Sequence, residues 1–155
     1  MKHPIDPLVV EAFTTAVKTT FEQLTNTTFE ALEGPNAVDS SADHYSAYLE
    51  LQRTKPGVLA IAMPPSLLVT LAGRYVPASV EVTTDMQEDA LREWLNVIAG
   101  QAKTLLKGTQ YHYLLSLPQS GQYLFSKVAE EPVISIRFEA SEGALVLRVM
   151  LPACA

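Results

Sequence analysis

Three things are scarce in this 155-residue chain, and each scarcity closes off a class of function. There is one cysteine, Cys154, so no disulfide framework can form within the chain, and the residue reads as a tail position without chemistry. The three histidines, His3, His44 and His112, stand far apart with no partner at ligand spacing, which argues against a zinc site. Basic residues are outnumbered: 11 Lys and Arg against 17 Asp and Glu leave a net charge of −6. The basic residues are also scattered. Nucleic acids and anionic membranes both require clustered Lys and Arg, so neither is an expected partner.

Long apolar runs are missing too. No stretch has the 18 or so consecutive apolar residues that a membrane-spanning helix needs. The opening MKHPIDPLVV places Pro, Asp and Pro where a signal peptide would be continuously apolar. A cytoplasmic protein is expected. The nucleotide cradles G-x-x-x-x-G-K-[ST] and G-x-G-x-x-G are absent, and Ser120-Gly121 is not part of a G-x-S-x-G elbow. The adjacent Glu130 and Glu131 precede Pro132 and read as a solvated loop edge.

What the chain does have is material for a core. Hydrophobic residues make up 48% and charged residues 18%, a globular balance. Length alone favours one domain over residues 1–155. Asp6 and Pro7 read as the cap and first residue of a helix, with Val10, Phe13, Val17, Phe21 and Leu24 on one face of residues 7–24. A short strand is expected near 29–32, then a Gly34-Pro35-Asn36 turn. Residues 45–52 alternate apolar and polar and predict a half-buried strand. Lys55-Pro56-Gly57 has the signature of a type II turn, with Gly57 taking positive φ. The apolar run 58–63 then completes a hairpin. Pro64-Pro65-Ser66 opens a shorter helix over 67–71, ended around Gly73. Residues 111–117 predict a strand stopped by Pro118, and 133–139 with 145–151 predict a second hairpin about Ser141-Glu142-Gly143. Hairpins with segregated helices indicate an α+β fold: a largely antiparallel sheet of about six strands with the helices laid on it.

The stretch 85–107 is the most informative. Wound as a helix, it puts Leu91, Trp94, Leu95, Ile98, Ala102, Leu105 and Leu106 on one apolar stripe. Thr84 with Gln87, or Asp85 with Glu88, offers a capping box, and Gly108 a C-terminal stop. Asp89, Glu93, Asn96, Gly100, Lys103 and Lys107 share the far side. Charges there are ordinary. Asn96 and Gly100 are not, because both are poor helix formers and Gly costs about 1 kcal/mol against Ala. An outward amide can meet an incoming group, and a missing side chain lets another backbone approach.

Asp89-x-x-x-Glu93-x-x-Asn96, continued by Val97-Ile98-Ala99-Gly100-Gln101-Ala102-Lys103, resembles the motif of the CheX/CheC/FliY family of chemotaxis phosphatases. That motif ends on a Pro, here Pro118, one residue closer to the Asn than is usual. Gly57-Val58-Leu59-Ala60-Ile61 resembles the family's glycine-led strand, and Ser116-Leu117-Pro118 with Gly121 its s-x-P-x-x-x-G segment. Length and element order fit the single-motif CheX branch. Two features depart from the family: residues 49–55 lack the extra strand glycine, and Glu11-Ala12-Phe13-Thr14 carries no second motif.

The resemblance implies a CheC-like fold and a substrate that is a phosphorylated CheY-type receiver domain. Asn96 would position the attacking water and Glu93 would pair with the receiver's Lys. Asp89, Gly100 and Lys103 would be partner contacts. It also implies a homodimer, and no cofactor of the chain's own, Mg²⁺ being held by the receiver. The alternative is a non-catalytic receiver-binding or flagellar-switch-like module of the same fold.

Overall fold

The computed structural model describes residues 6–32, 44–123, 125 and 133–152. The expected Gly34-Pro35-Asn36 turn, Glu130, Glu131, His3 and Cys154 lie outside them. Helix α1 (Pro7–Thr25) starts where expected: the Asp6 carboxylate accepts the Leu8 N–H, and Pro7 fills the first helical position. Strands β1 (Glu30–Leu32), β2 (Tyr45–Gln52) and β3 (Gly57–Met63) follow, then α2 (Pro65–Tyr75) and α3 (Thr84–Leu105). The chain closes with β4 (Leu114–Leu115), β5 (Gln119–Ser120), β6 (Ile134–Ala140) and β7 (Gly143–Met150).

The seven strands form one antiparallel sheet in the order β1-β6-β7-β3-β2-β4, with β5 also on β2. The α+β expectation holds. Alternation decides the register: Ala47, Leu49 and Leu51 of β2 lie opposite Ile61, Leu59 and Gly57 of β3, and all six are buried. Leu147 and Val149 of β7 continue this layer beside Ile61 and Leu59. Helix α3 lies across the β2 and β3 end of the sheet, and α1 packs on α3 and α2. Aromatic rings fill the space between helices. Trp94 is 0% exposed and meets Phe21 at 5.5 Å and Tyr75 at 5.6 Å between ring centroids, while Phe21 meets Phe29 at 5.2 Å.

Some local readings change. Gly57 does not have positive φ and is not the corner of a type II turn. It opens β3 beside the end of β7, where an added Cβ would lie 2.4 Å from the Met150 carbonyl oxygen. The glycine is needed for close approach, not for chirality. Gly57→Ala should therefore destabilise the protein by about 2 kcal/mol, read as a lower urea midpoint, because a backbone carbonyl in a sheet ladder cannot step aside. Helix α2 runs on through Gly73, whose Cβ position is open space, to Tyr75. The strand expected over 111–117 is only Leu114–Leu115 before an interruption, and pairing resumes beyond Pro118.

Candidate functional site

Helix α3 carries the candidate residues, and its local chemistry explains its position. Its cap is Thr83, one residue before the expected box: the Thr83 hydroxyl accepts the Met86 N–H at 3.2 Å. Asp85 in the first turn and Lys103 in the last suit the two ends of the helix dipole. The helix ends at a Leu106 cap, and Gly108, with φ of 82°, turns the chain two residues later. Leu91, Trp94, Leu95, Ile98, Ala102 and Leu106 are buried as the stripe predicts, joined by Ala90 and Ala99. Leu105 is the exception, 49% exposed at the last turn.

Opposite that stripe, Asp89 and Glu93 are exposed, and Asn96, Gly100 and Lys103 are half-buried. Glu93 and Asn96 are neighbours on the helix surface by their i, i+3 spacing. Neither side chain makes a hydrogen bond or ion pair within the described residues. An ionised carboxylate offers only acceptors, whereas an amide offers both a donor and an acceptor. Both are thus open to an incoming group. Asp89 is engaged: its carboxylate pairs with Arg92. Gly100 borders β4, with the position of its missing Cβ 4.0 Å from Leu115 Cδ1, so a methyl group would fit without conflict. Internal crowding does not account for this glycine.

Arg92 is the residue that the outward-face reading missed. Its guanidinium donates to Asp89 Oδ1 and also to Ser120 Oγ on β5. The i, i+3 spacing from Asp89 could have revealed the first contact. The second is tertiary. A further tie lies one turn beyond Asn96, where the buried Tyr113 hydroxyl donates to the Ala99 carbonyl at 2.8 Å. Burial pushes that hydroxyl's pKa well above the usual tyrosine range, which keeps it a donor. Among the described residues no group of three His, Cys, Asp or Glu side chains could hold a metal ion, and no helix is long and apolar enough to cross a membrane.

A cleft of about 460 Å³ adjoins the N-terminal half of α3, lined by His44, Ser46, Glu88, Leu91 and Ser120 among others. It stands beside the Asp89–Arg92 pair, not at Glu93 and Asn96.

The family model for chemotaxis phosphatase CheX matches residues 45–139, more than half of the chain. No curated protein matches the sequence. The fold is similar to that of a chemotaxis protein CheX from Desulfovibrio desulfuricans, with TM-score 0.79 and 16% identity over 93% of this chain and 99% of that one. A CheC-like superfamily protein from Shewanella sp. PV-4 is similar at TM-score 0.77 and 14% identity, over 96% of this chain and 100% of that one. A chain of the CheX-CheY-BeF3-Mg²⁺ complex from Borrelia burgdorferi is similar at TM-score 0.74 and 16% identity, over 96% and 99%.

Proposed function

Because the chain belongs to the CheX family of chemotaxis phosphatases, we propose that it hydrolyses the aspartyl phosphate of a CheY-type receiver domain through Glu93 and Asn96. The observation that carries this reading is the pair itself: a carboxylate and a carboxamide on one outward face of α3, accessible and without partners among the described residues. The complex of a similar protein with CheY supports the choice of partner.

In this reaction a water oxygen bonds to phosphorus as the acyl O–P bond breaks. The products are the aspartate carboxylate and inorganic phosphate, which takes up the water's oxygen and protons. The receiver's own Mg²⁺ would neutralise the phosphoryl oxygens, so this chain's task is to position the water. The Asn96 amide can accept a hydrogen bond from that water and donate one to a phosphoryl oxygen, adding no charge to an already anionic centre. Glu93 sets the docking register by pairing with the receiver's Lys. Gly100 gives the partner backbone room, and Asp89 and Lys103 border the contact. Homodimerisation and a cytoplasmic setting belong to the same reading.

The test is direct. Receivers from the same organism, labelled by a small phosphodonor, should lose phosphate several-fold faster with substoichiometric amounts of this protein. Complex formation with an unchanged rate would select the non-catalytic module instead. Neither binding nor acceleration with any of the receivers would end the proposal.

A further inference from the structure

The interruption between β4 and β5 is a built feature. Leu51 and Gln52 of β2 pair with Leu115 and Leu114, while Ala47 and Tyr48 pair with Ser120 and Gln119. Between these registers β2 supplies Leu49 and Glu50, but the neighbouring segment supplies Ser116, Leu117 and Pro118. One residue is extra, which defines a bulge. Pro118 has no N–H to give a ladder. Ser116 takes over both backbone groups of Glu50, its Oγ accepting from the Glu50 N–H at 2.9 Å and donating to the Glu50 carbonyl at 2.8 Å.

The flanks are tied down as well. Arg92 of α3 donates to Ser120 Oγ, the Gly121 N–H donates to the Ser46 carbonyl at 2.8 Å, and Tyr48 Oη lies 3.3 Å from Gln119 Oε1. What the bulge presents is Leu117, 83% exposed, against 57% for Leu114, the next most exposed large apolar residue among the described residues.

The bulge runs beside the site. Leu115 lies against Gly100 and Ser120 against Arg92, and Asn96 is midway between those two helix positions. Leu117 and Pro118 are midway between the matching strand positions, which by interpolation brings the bulge to the level of Asn96. A proline and a bulge on an edge strand can serve to block sheet-to-sheet aggregation, but that purpose favours a charged side chain, not a leucine held in water.

We propose that Leu117 is a docking residue for the phosphorylated receiver, fitting an apolar recess on the rim of its phosphoaspartate site, with Arg92 as the positioning residue that braces the bulge against α3. The inference rests on the receiver-phosphatase reading. A partner that brings an aspartyl phosphate to Asn96 must also cover the bulge, and the apolar side chain gains from leaving water.

Dephosphorylation kinetics over a range of receiver concentrations, with receiver-beryllofluoride binding by calorimetry, provide the test. Leu117→Ser should raise KM and Kd about tenfold and leave kcat within about twofold, the size expected for exposing one leucine that is buried on binding. Leu114→Ser, on the same edge before the bulge, should change neither. Arg92→Ala and Ser120→Ala should each raise KM, and hydrogen exchange should quicken in residues 116–121 but not in α3. If the wild type is active or binds and Leu117→Ser matches it in KM and Kd, the docking role is wrong while the phosphatase reading stands. If the wild type neither binds nor hydrolyses, the phosphatase reading falls and takes the docking role with it.

Discussion

Asn96→Ala should lower kcat for receiver dephosphorylation by about 100-fold, the loss expected when a group that positions a reactant or donates to developing charge is removed. The same change should raise stability by about 0.5 kcal/mol. Ala is the better helix former, and Asn96 makes no hydrogen bond within the described residues that would be lost. Lost activity in a slightly stabilised protein separates a chemical role from a structural one. Stopped-flow or label-loss assays at saturating receiver, with a urea melt of the same sample, measure both. Glu93→Gln should act mainly on KM, since it removes a docking charge and leaves the water-positioning amide in place. An Asn96→Ala protein that turns over like the wild type would remove the mechanism proposed for this helix face.

Trp94→Ala should destabilise the protein by about 4 kcal/mol and lower its melting temperature by about 10 °C. Trp94 lies between Glu93 and Leu95 in sequence, but its ring is on the opposite side of α3, 0% exposed against Phe21 and Tyr75. It joins the site helix to α1 and to the end of α2. Edge-to-face pairs contribute about 0.5–1.5 kcal/mol each beyond the area they bury, so two are lost together with the core volume. Marginal stability makes this a large fraction of the total. Calorimetry or a urea midpoint gives the number. A loss below about 1 kcal/mol would mean that α3 is held mainly by its strand contacts instead.

Local periodicity made much of the fold legible. The alternation in 45–52 marks β2 to the residue, and the apolar stripe from Leu91 to Leu106 marks the buried side of α3, because each pattern is fixed by an element's own geometry. The outward side followed as the complement, but periodicity left six residues there, and it was the resemblance to the family motif that singled out Glu93 and Asn96. What sequence reasoning missed depends on residues distant in the chain. Gly57 sits beside a turn signature, yet its reason is the Met150 carbonyl arriving from β7. Nothing in 111–117 says that Ser116 will replace a strand partner for Glu50, since that depends on where β2 lies. The Arg92 contact with Ser120 is hidden for the same reason, spanning α3 and the sheet edge. Leu105 fits the stripe by angle but is exposed as the last residue of α3, while its neighbour Leu106 turns into the core.

The strand order also dictates when the molecule can form. The middle of the sheet is the β3–β7 pair, which joins Val58 to Met150 and Ala62 to Val146. A ribosome must therefore release the chain through residue 150 before β3 acquires its second neighbour. Until then the nascent chain exposes an apolar ladder of unpaired amides, the kind of surface that chaperones hold and that aggregates grow from. Such a sequence-distant closure makes folding slow relative to helical bundles of similar size. Chains terminated before Gly143 should accumulate as insoluble material instead of as smaller folded proteins.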